Sequence, residues 1–301
     1  MTKKNIINTI SDQKTVTLPI DIYERIEMDI KRFNTNKNFF INRIITNTID
    51  NRNNYNVKLS RDSGKNRKLE FRLNKENYEN YEEIFKNNNS IDKIKLHDSE
   101  VIRNSIAYYI TLTDYRREQL IYKKEINSIE EAIVNENTIS VKYKGSRRVI
   151  EPYFIAKSKE ESYNYVYGYC KKNNDYRSYR LSNLSDIIVR MENQIMRKKL
   201  LDKYGDEYLK NLKTKYDPFL SYQKRVKAKL TVEGERLFEI IYYNRPEVIA
   251  FGSNGEILVE CSERKAIAYF SQFIDEVEIL EPVELRNEFK RRLLNAYSKY
   301  K

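Results

Sequence analysis

The sequence predicts a multidomain α+β protein. Three observations carry this: a strand–helix–helix order that occurs twice in the first third, short alternating strands in the middle, and a βαββαβα order at the end. At 301 residues the chain has room for two or three domains. The expected boundaries are 1–113, a helical linker 114–135, 136–200 and 201–301. Hydrophobic residues, at 40%, suffice for a core, and no run reaches the ~20 apolar residues of a membrane span. The opening MTKKNIINTISD lacks the apolar stretch of an export signal, so a cytoplasmic protein without membrane contact is expected.

The first third sets the repeat. Thr15-Val16-Thr17-Leu18-Pro19 reads as a strand with Val16 and Leu18 on one face. Asp21 is placed to cap a helix carrying Tyr23, Ile26 and Ile30, and a second helix carries Ile41, Ile45 and Ile49. Glu70-Phe71-Arg72-Leu73-Asn74 repeats the strand. Tyr78, Tyr81 and Phe85 follow at a constant offset of 55 from the first helix, then Ile102, Ile106 and Ile110 at 61 from the second. The difference, 61 − 55 = 6, places a six-residue insertion between the helices of the second copy. The run from Lys58 to Lys68 is basic and reads as a solvated loop or a phosphate contact. From Tyr115 to Val134, Leu120, Ile121, Ile126, Ile129 and Ile133 mark a helical link.

The middle third is read as strands at Thr138–Tyr143, Val149–Ala156, Tyr163–Cys170 and Tyr176–Leu181, with turns at Lys144-Gly145-Ser146 and Lys171–Asn174; this pattern suggests a small barrel. Tyr163, Tyr165, Tyr167 and Tyr169 alternate with Asn164, Val166, Gly168 and Cys170, so a regular strand puts all four rings on one face. In the last third, strands at 226–232, 248–251, 257–261 and 277–280 alternate with helices at 234–244, 265–274 and 283–300. That order suggests a ferredoxin-like sheet with helices on one face.

Charge and composition narrow the function. Lys plus Arg is 56 against 44 for Asp plus Glu, a net +12 that divides as +5 over 1–130, +10 over 131–230 and −3 over 231–301. A localised excess of this kind fits a polyanion partner, and a solvated basic surface gives the same count. Two cysteines, Cys170 and Cys261, and one histidine, His97, exclude a disulfide framework and an ordinary Cys/His zinc site. No metal, cofactor or catalytic residue is assigned. Glu82-Glu83 and Glu130-Glu131 read as helix-surface pairs, not as the clustered carboxylates of a nuclease. The aromatic and basic residues of the middle third, Tyr143, Arg147, Arg148, Tyr153, Tyr165, Tyr167, Arg177, Tyr179 and Arg180, form the candidate nucleic-acid site. Rings suit stacking on unpaired bases and guanidinium groups suit the phosphate backbone, although each ring has an ordinary role as core.

Three resemblances add to this reading. Ser99-Glu100-Val101-Ile102-Arg103-Asn104-Ser105-Ile106 resembles the start of the second helix in ribbon-helix-helix proteins. That resemblance implies a tandem ribbon-helix-helix-like α module whose outward residues, Thr15, Thr17, Glu70 and Arg72, face a DNA groove or serve architecture alone. Glu70 departs from a groove-reading pattern. The stretch from Ile129 to Val189 is similar to the WYL domain, through Val141-Lys142-Tyr143, Val149-Ile150-Glu151-Pro152-Tyr153, Tyr165–Cys170 and Arg177-Ser178-Tyr179-Arg180-Leu181-Ser182-Asn183-Leu184. The naming tripeptide falls on Asn164-Tyr165-Val166, and Asn183 occupies a position that is basic in the family. The similarity implies an Sm-like WYL β-barrel. Val277–Pro282 and Leu285-Arg286 resemble the C-terminal extension of WYL regulators, implying a homodimer.

The module order, with Thr113–Tyr122 and Leu230–Glu235, resembles the WYL accessory proteins of type VI-D CRISPR systems. It implies a non-catalytic protein that binds single-stranded RNA and assists an RNA-guided CRISPR effector ribonuclease. The alternative is a DNA-binding transcriptional regulator with a WYL ligand-sensing domain.

Overall fold

A computed structural model describes residues 13–48, 65–80, 98–158, 162–214 and 216–301. Ile49, Lys58 to Gly64, Tyr81, Glu82-Glu83, Phe85 and His97, named above, lie outside the described residues. The chain divides into two compact units, residues 1–150 with 180–192, and residues 151–179 with 193–301.

The first unit opens with β1 (Gln13–Pro19), α1 (Ile20–Arg32), α2 (Lys37–Thr48), β2 (Asn66–Arg72), α3 (Lys75–Glu79) and α4 (Asp98–Thr111). β1 and β2 pair antiparallel, with Thr15 opposite Glu70 and Thr17 opposite Lys68. The expected inward residues Val16, Leu18, Phe71 and Leu73 are buried, Leu73 just beyond the end of β2, and Leu69 joins them; Thr15, Thr17, Lys68, Glu70 and Arg72 are exposed. A two-stranded ribbon is marginal alone. Its apolar face is accompanied by buried Ile26, Phe33, Phe40, Ile44, Ile102 and Ile106 from the helices. Buried Asn42 locks the frame. Its Nδ2 donates to the Arg72 carbonyl at 2.8 Å, and its Oδ1 accepts from the Asn74 amide at 2.9 Å and from Asn77 Nδ2 at 2.8 Å. Asp21 does not cap α1; the helix begins one residue earlier, Pro19 holds the cap position, and Asp21 lies in the first turn, where its charge complements the helix dipole.

The expected single link is two helices, α5 (Asp114–Ile121) and α6 (Lys123–Val134), broken at Tyr122. Tyr122 is buried and its hydroxyl donates to the Phe33 carbonyl at 2.9 Å, so the break anchors the chain. β3 (Asn137–Tyr143) follows, then a two-residue turn in which Lys144 and Gly145 both have positive φ, then β4 (Ser146–Lys157). Two such residues are the type I′ solution for a tight hairpin.

β4 runs on into the second unit, where β5 (Asn164–Cys170) and β6 (Asp175–Arg180) follow. A 3₁₀ turn, Leu181–Asn183, leads to β7 (Leu184–Asn193), which returns to the first unit. The ladder order is β6-β5-β4-β3-β7. The expected barrel is therefore corrected: the sheet is open, with β6 and β7 at its two edges. The corner residues between β6 and β7, from Arg180 onward, belong to the first unit and spend their polar groups on its helices. The Ser182 amide donates to Glu118 Oε1 at 3.3 Å, and Arg180 donates to the Arg32 carbonyl.

Two helices absent from the sequence reading follow β7 in the second unit, α7 (Ile195–Tyr204) and α8 (Asp206–Thr214). The C-terminal part has the expected βαββαβα order: β8 (Arg225–Leu230), α9 (Val232–Ile240), β9 (Glu247–Phe251), β10 (Glu256–Glu260), α10 (Glu263–Phe270), β11 (Val277–Glu281) and α11 (Val283–Tyr297). Its antiparallel sheet has the order β11-β8-β10-β9. Val226, Ala228, Leu230, Ile257 and Val259 meet Phe238, Tyr269, Phe270 and Phe289 in one core. Thr231 and Ser262 cap α9 and α10 by accepting the amides of Gly234 and Lys265 at 3.0 and 3.2 Å.

The close approach of β5 to β4 rests on Gly168. A Cβ there would stand 2.2 Å from the Glu151 carbonyl oxygen and 3.0 Å from the Pro152 Cα. Both are backbone atoms and cannot rotate away. Gly168→Ala is expected to cost about 1–3 kcal/mol through forced backbone displacement, measured as a lower urea midpoint at unchanged m-value.

Candidate nucleic-acid interface

In the second unit the aromatic strand β5 keeps its predicted alternation but not its predicted exposure. Tyr167 is 3% exposed and Tyr169 6%, while Tyr165 is half-buried. Tyr153 and Tyr179, at 3% each, are also interior. The rings interlock. Tyr153 meets Tyr167 edge-on at 5.9 Å between centroids, Phe154 stacks on Tyr167 at 5.0 Å, and Tyr165 lies 6.0 Å from Tyr216. Each such pair adds about 0.5–1.5 kcal/mol beyond its buried area. Burial, followed by neighbouring acidic and phenolic groups, pushes the Tyr153 and Tyr167 hydroxyls well above the ordinary phenol range. Stacking on bases is corrected for Tyr153, Tyr167 and Tyr179, because a sealed ring offers no face.

The cover is α7 and α8, whose Leu200 and Leu212 pack in the same cluster. Local chemistry fixes α7 in place. Glu151, 1% exposed, accepts the amides of Met196 at 2.8 Å and Arg197 at 3.2 Å, a buried carboxylate on the free N–H groups of the helix start. Gln194 Nε2 adds a bond to the Pro152 carbonyl at 2.9 Å. Sequence reasoning assigned Glu151 no role, because the amides it satisfies lie forty-five residues further on.

The basic residues fall in different settings. In the first unit, Arg147 is exposed on the β3–β4 hairpin, where it donates to Ser140 Oγ at 3.4 Å and the Asp186 carbonyl at 3.2 Å. Arg148 is half-buried, opposite Val141 in the ladder, and its Nη1 is buried with no hydrogen-bond partner among the described residues. Tyr143 is half-buried near the same turn, its ring 5.6 Å from Lys144 Nζ. Arg180 lies at the Leu181 corner, bonded to the last carbonyl of α1. It adjoins a buried charge network. Asp29 and Arg117, each 3% exposed, pair at 3.3 Å, the Tyr109 hydroxyl donates to Asp29 at 2.8 Å, and Asp114 pairs with Arg32 and Arg117. Burial raises the Asp29 carboxyl above its ordinary range, outweighing Tyr109 and the two guanidinium groups. Burial acts likewise on Asp114, but the Arg32 hydrogen bond and the Arg117 and Arg32 charges bring its carboxyl below the ordinary range. In the second unit, Arg177 remains accessible, 3.4 Å from the Asp175 carboxylate, with 40% of its side chain exposed.

Sequence reasoning missed a second set of tyrosines in this unit. Tyr204 is 44% exposed and stacks on half-buried Tyr208 at 4.7 Å, while half-buried Tyr176 packs beside Tyr167 and Tyr169. The available signal was the pair of tyrosines flanking the Gly205 turn beside the basic run Arg197-Lys198-Lys199.

These placements separate structural from surface cations. Arg180→Ala is expected to lose about 1–3 kcal/mol of stability with its charged hydrogen bond. Arg177→Ala is expected to change stability by less than about 0.5 kcal/mol, since its ion pair is exposed. Chemical denaturation of the two variants checks the contrast. Glu151→Ala is expected to cost about 1–2 kcal/mol and to diminish the near-ultraviolet tyrosine dichroism, with Glu151→Gln retaining most of the signal because its carboxamide oxygen still accepts.

No curated protein sequence matches the chain. Among solved structures, the chain is similar to one described as "Crystal structure of a CRISPR Cas-related protein", at 16% identity and a TM-score of 0.66, over 99% of this chain and 96% of that one. That likeness extends to the fold alone. The proteasome accessory factor B/C (PafBC) of Arthrobacter aurescens aligns at 18% identity and a TM-score of 0.29, over 70% of this chain and 33% of that one. The family model of the WYL domain matches residues 124–189, from α6 through most of β7, and identifies this segment as a WYL domain.

Proposed function

We propose that the protein is a non-catalytic regulator that binds single-stranded RNA and modulates an RNA-guided type VI CRISPR ribonuclease. The carrying observation is a WYL domain set in a fold that follows a CRISPR Cas-related protein along nearly the whole of both chains. The net charge of +12, with +10 of it between residues 131 and 230, supports a polyanion as the ligand. In this reading the first third is a tandem ribbon-helix-helix-like module, the middle an Sm-like sheet, and the last third a ferredoxin-like module through which two copies pair in the cytoplasm. The chemistry is that of binding: accessible Arg147 and Arg177 contact phosphates, and no bond is broken.

The second reading is a DNA-binding transcriptional regulator whose WYL domain senses a ligand. It is favoured by one observation, the polar face that the ribbon presents through Thr15, Thr17, Lys68 and Arg72. Glu70 stands among them, opposite Thr15, and repels a phosphate-lined groove.

Competition between single-stranded RNA and duplex DNA of equal length separates the two. RNA is expected to win, and Arg177→Ala to lower the slope of log affinity against log salt by about 0.7, because one phosphate is then left without its guanidinium. Preference for the duplex, abolished by changing Thr17 and Arg72, would establish the DNA reader instead. Labelled RNA incubated with the protein and magnesium is expected to stay intact.

A further inference from the structure

Within the second unit, the surface formed by the end of α7 and the start of α8 combines features that no part of the proposed function yet uses. Tyr204 ends α7, and Gly205, at φ +73°, turns the chain directly into α8. The turn brings Tyr208 under Tyr204, with the ring planes 21° apart and the centroids 4.7 Å apart. Tyr222 closes the inner side, edge-on to Tyr208 at 5.7 Å. The pair is thus supported from within and open outward. The ammonium of Lys203 stands over the Tyr204 ring, 4.8 Å from the centroid.

The surrounding charge is mixed. Residues 195–214 hold Arg197, Lys198, Lys199, Lys203, Lys210 and Lys213 against Asp202, Asp206 and Glu207, a net of 6 − 3 = +3. Lys198 and Lys199 are exposed and make no ion pair among the described residues. Three net charges attract a strand without holding it tightly at physiological salt. A supported aromatic platform supplies what the charge lacks, because a base stacks on a ring whatever its sequence.

We infer that Tyr204, backed by Tyr208, is a stacking platform for an unpaired nucleobase, with Lys203 as its placeholder. In the free protein the Lys203 ammonium rests on the ring, a cation–π contact that keeps the face dry at low cost. An incoming base takes that position, and the displaced ammonium pairs with the phosphate of the same nucleotide. One lysine thereby serves the free and the bound states. The ligand class is single-stranded nucleic acid with intact bases. The inference rests on the RNA-binding reading above and assigns it a site outside the predicted tyrosines of β5.

The chain has no tryptophan, so the one introduced by Tyr204→Trp reports on this position alone. Its emission is titrated with a short oligouridylate and with an abasic strand of equal length, while anisotropy of the labelled strand reads binding independently. Quenching by oligouridylate and not by the abasic strand is expected. Tyr204→Ala should weaken oligouridylate binding roughly 5- to 100-fold, and Tyr204→Phe, which keeps the ring, should bind as the parent does. Both changes are at an exposed ring, and circular dichroism of each variant checks the fold. Strand binding without a change in tryptophan emission, or equal affinity for the abasic strand, would refute the platform while leaving RNA binding in place. Absence of any binding to the parent protein would refute both.

Discussion

Glu151 is the constraint on which the aromatic part of the second unit depends. Its carboxylate is buried, and a buried anion is tolerated only where donors replace the lost water. Those donors are the first amides of α7, which in turn lack intrahelical partners. Each side of the contact satisfies a requirement of the other, so β4 and α7 are fixed to one another. The remaining packing follows. With α7 in place, Leu200 reaches the tyrosine face of β5, α8 extends the cover with Leu212, and the aromatic lattice from Tyr153 to Tyr216 becomes interior. Gly168 serves the same end from within the sheet by admitting the backbone of β4 where a side chain would hold it off.

Much of this was legible in the sequence, and the limits have physical causes. Period-two alternation located β1, β3, β5 and β6 to within a residue or two, since one face of each pair meets a core, whereas β2 begins four residues before its expected start at Glu70. The C-terminal element order was legible for the same reason, and its antiparallel sheet bears the pattern out. The tyrosines of β5 do share a face, but alternation reports that a face exists, not what lies on it. Deciding between solvent and core required α7 and α8, of which α7 is weakly marked. Ile195-Met196-Arg197-Lys198-Lys199-Leu200 has no sustained apolar stripe, and Glu151, which caps the helix, is remote in sequence. β7 was hidden likewise: as an edge strand it is exposed along most of its length, so its composition carries little burial signal. The open sheet was invisible because hydrogen bonding between edges is a long-range property, and strand count alone does not determine it.

Charge behaves as the tyrosines do, dividing between interior and surface in a way that a count cannot resolve. In the first unit several of the arginines are structural, while Arg25, Arg67, Arg72, Arg116, Arg147 and Arg190 are exposed. Arg32, Arg43 and Arg117 pair with Asp114, Glu125 and Asp29, and Lys14 pairs with Asp98. Arg180, a candidate ligand residue by resemblance, supports the C-terminal end of α1 with its guanidinium. That position is also favourable for a cation, since the end of a helix carries partial negative charge. The same residue types in α7 are on the surface. A cluster of like charges predicts a polyanion partner only after such internal uses are subtracted, and here the subtraction moves the accessible excess toward Arg147, Arg177 and α7.

This division determines what kind of binding the molecule can support. Tyrosines sealed under helices cannot act as a reading surface without undoing the core, a cost far above the roughly 1–3 kcal/mol that stacking one base returns. Recognition by opening the sheet is therefore excluded on energetic grounds. Rings that already meet solvent have no such cost, and in the second unit Tyr204 is the most exposed of those joined to the lattice. Its partner Tyr208 touches Tyr222, and Tyr176 touches the buried rings directly. A rigid aromatic interior supports an outer ring on a well-ordered base. In the proposed platform the core tyrosines act by holding that outer ring in place, without touching the ligand.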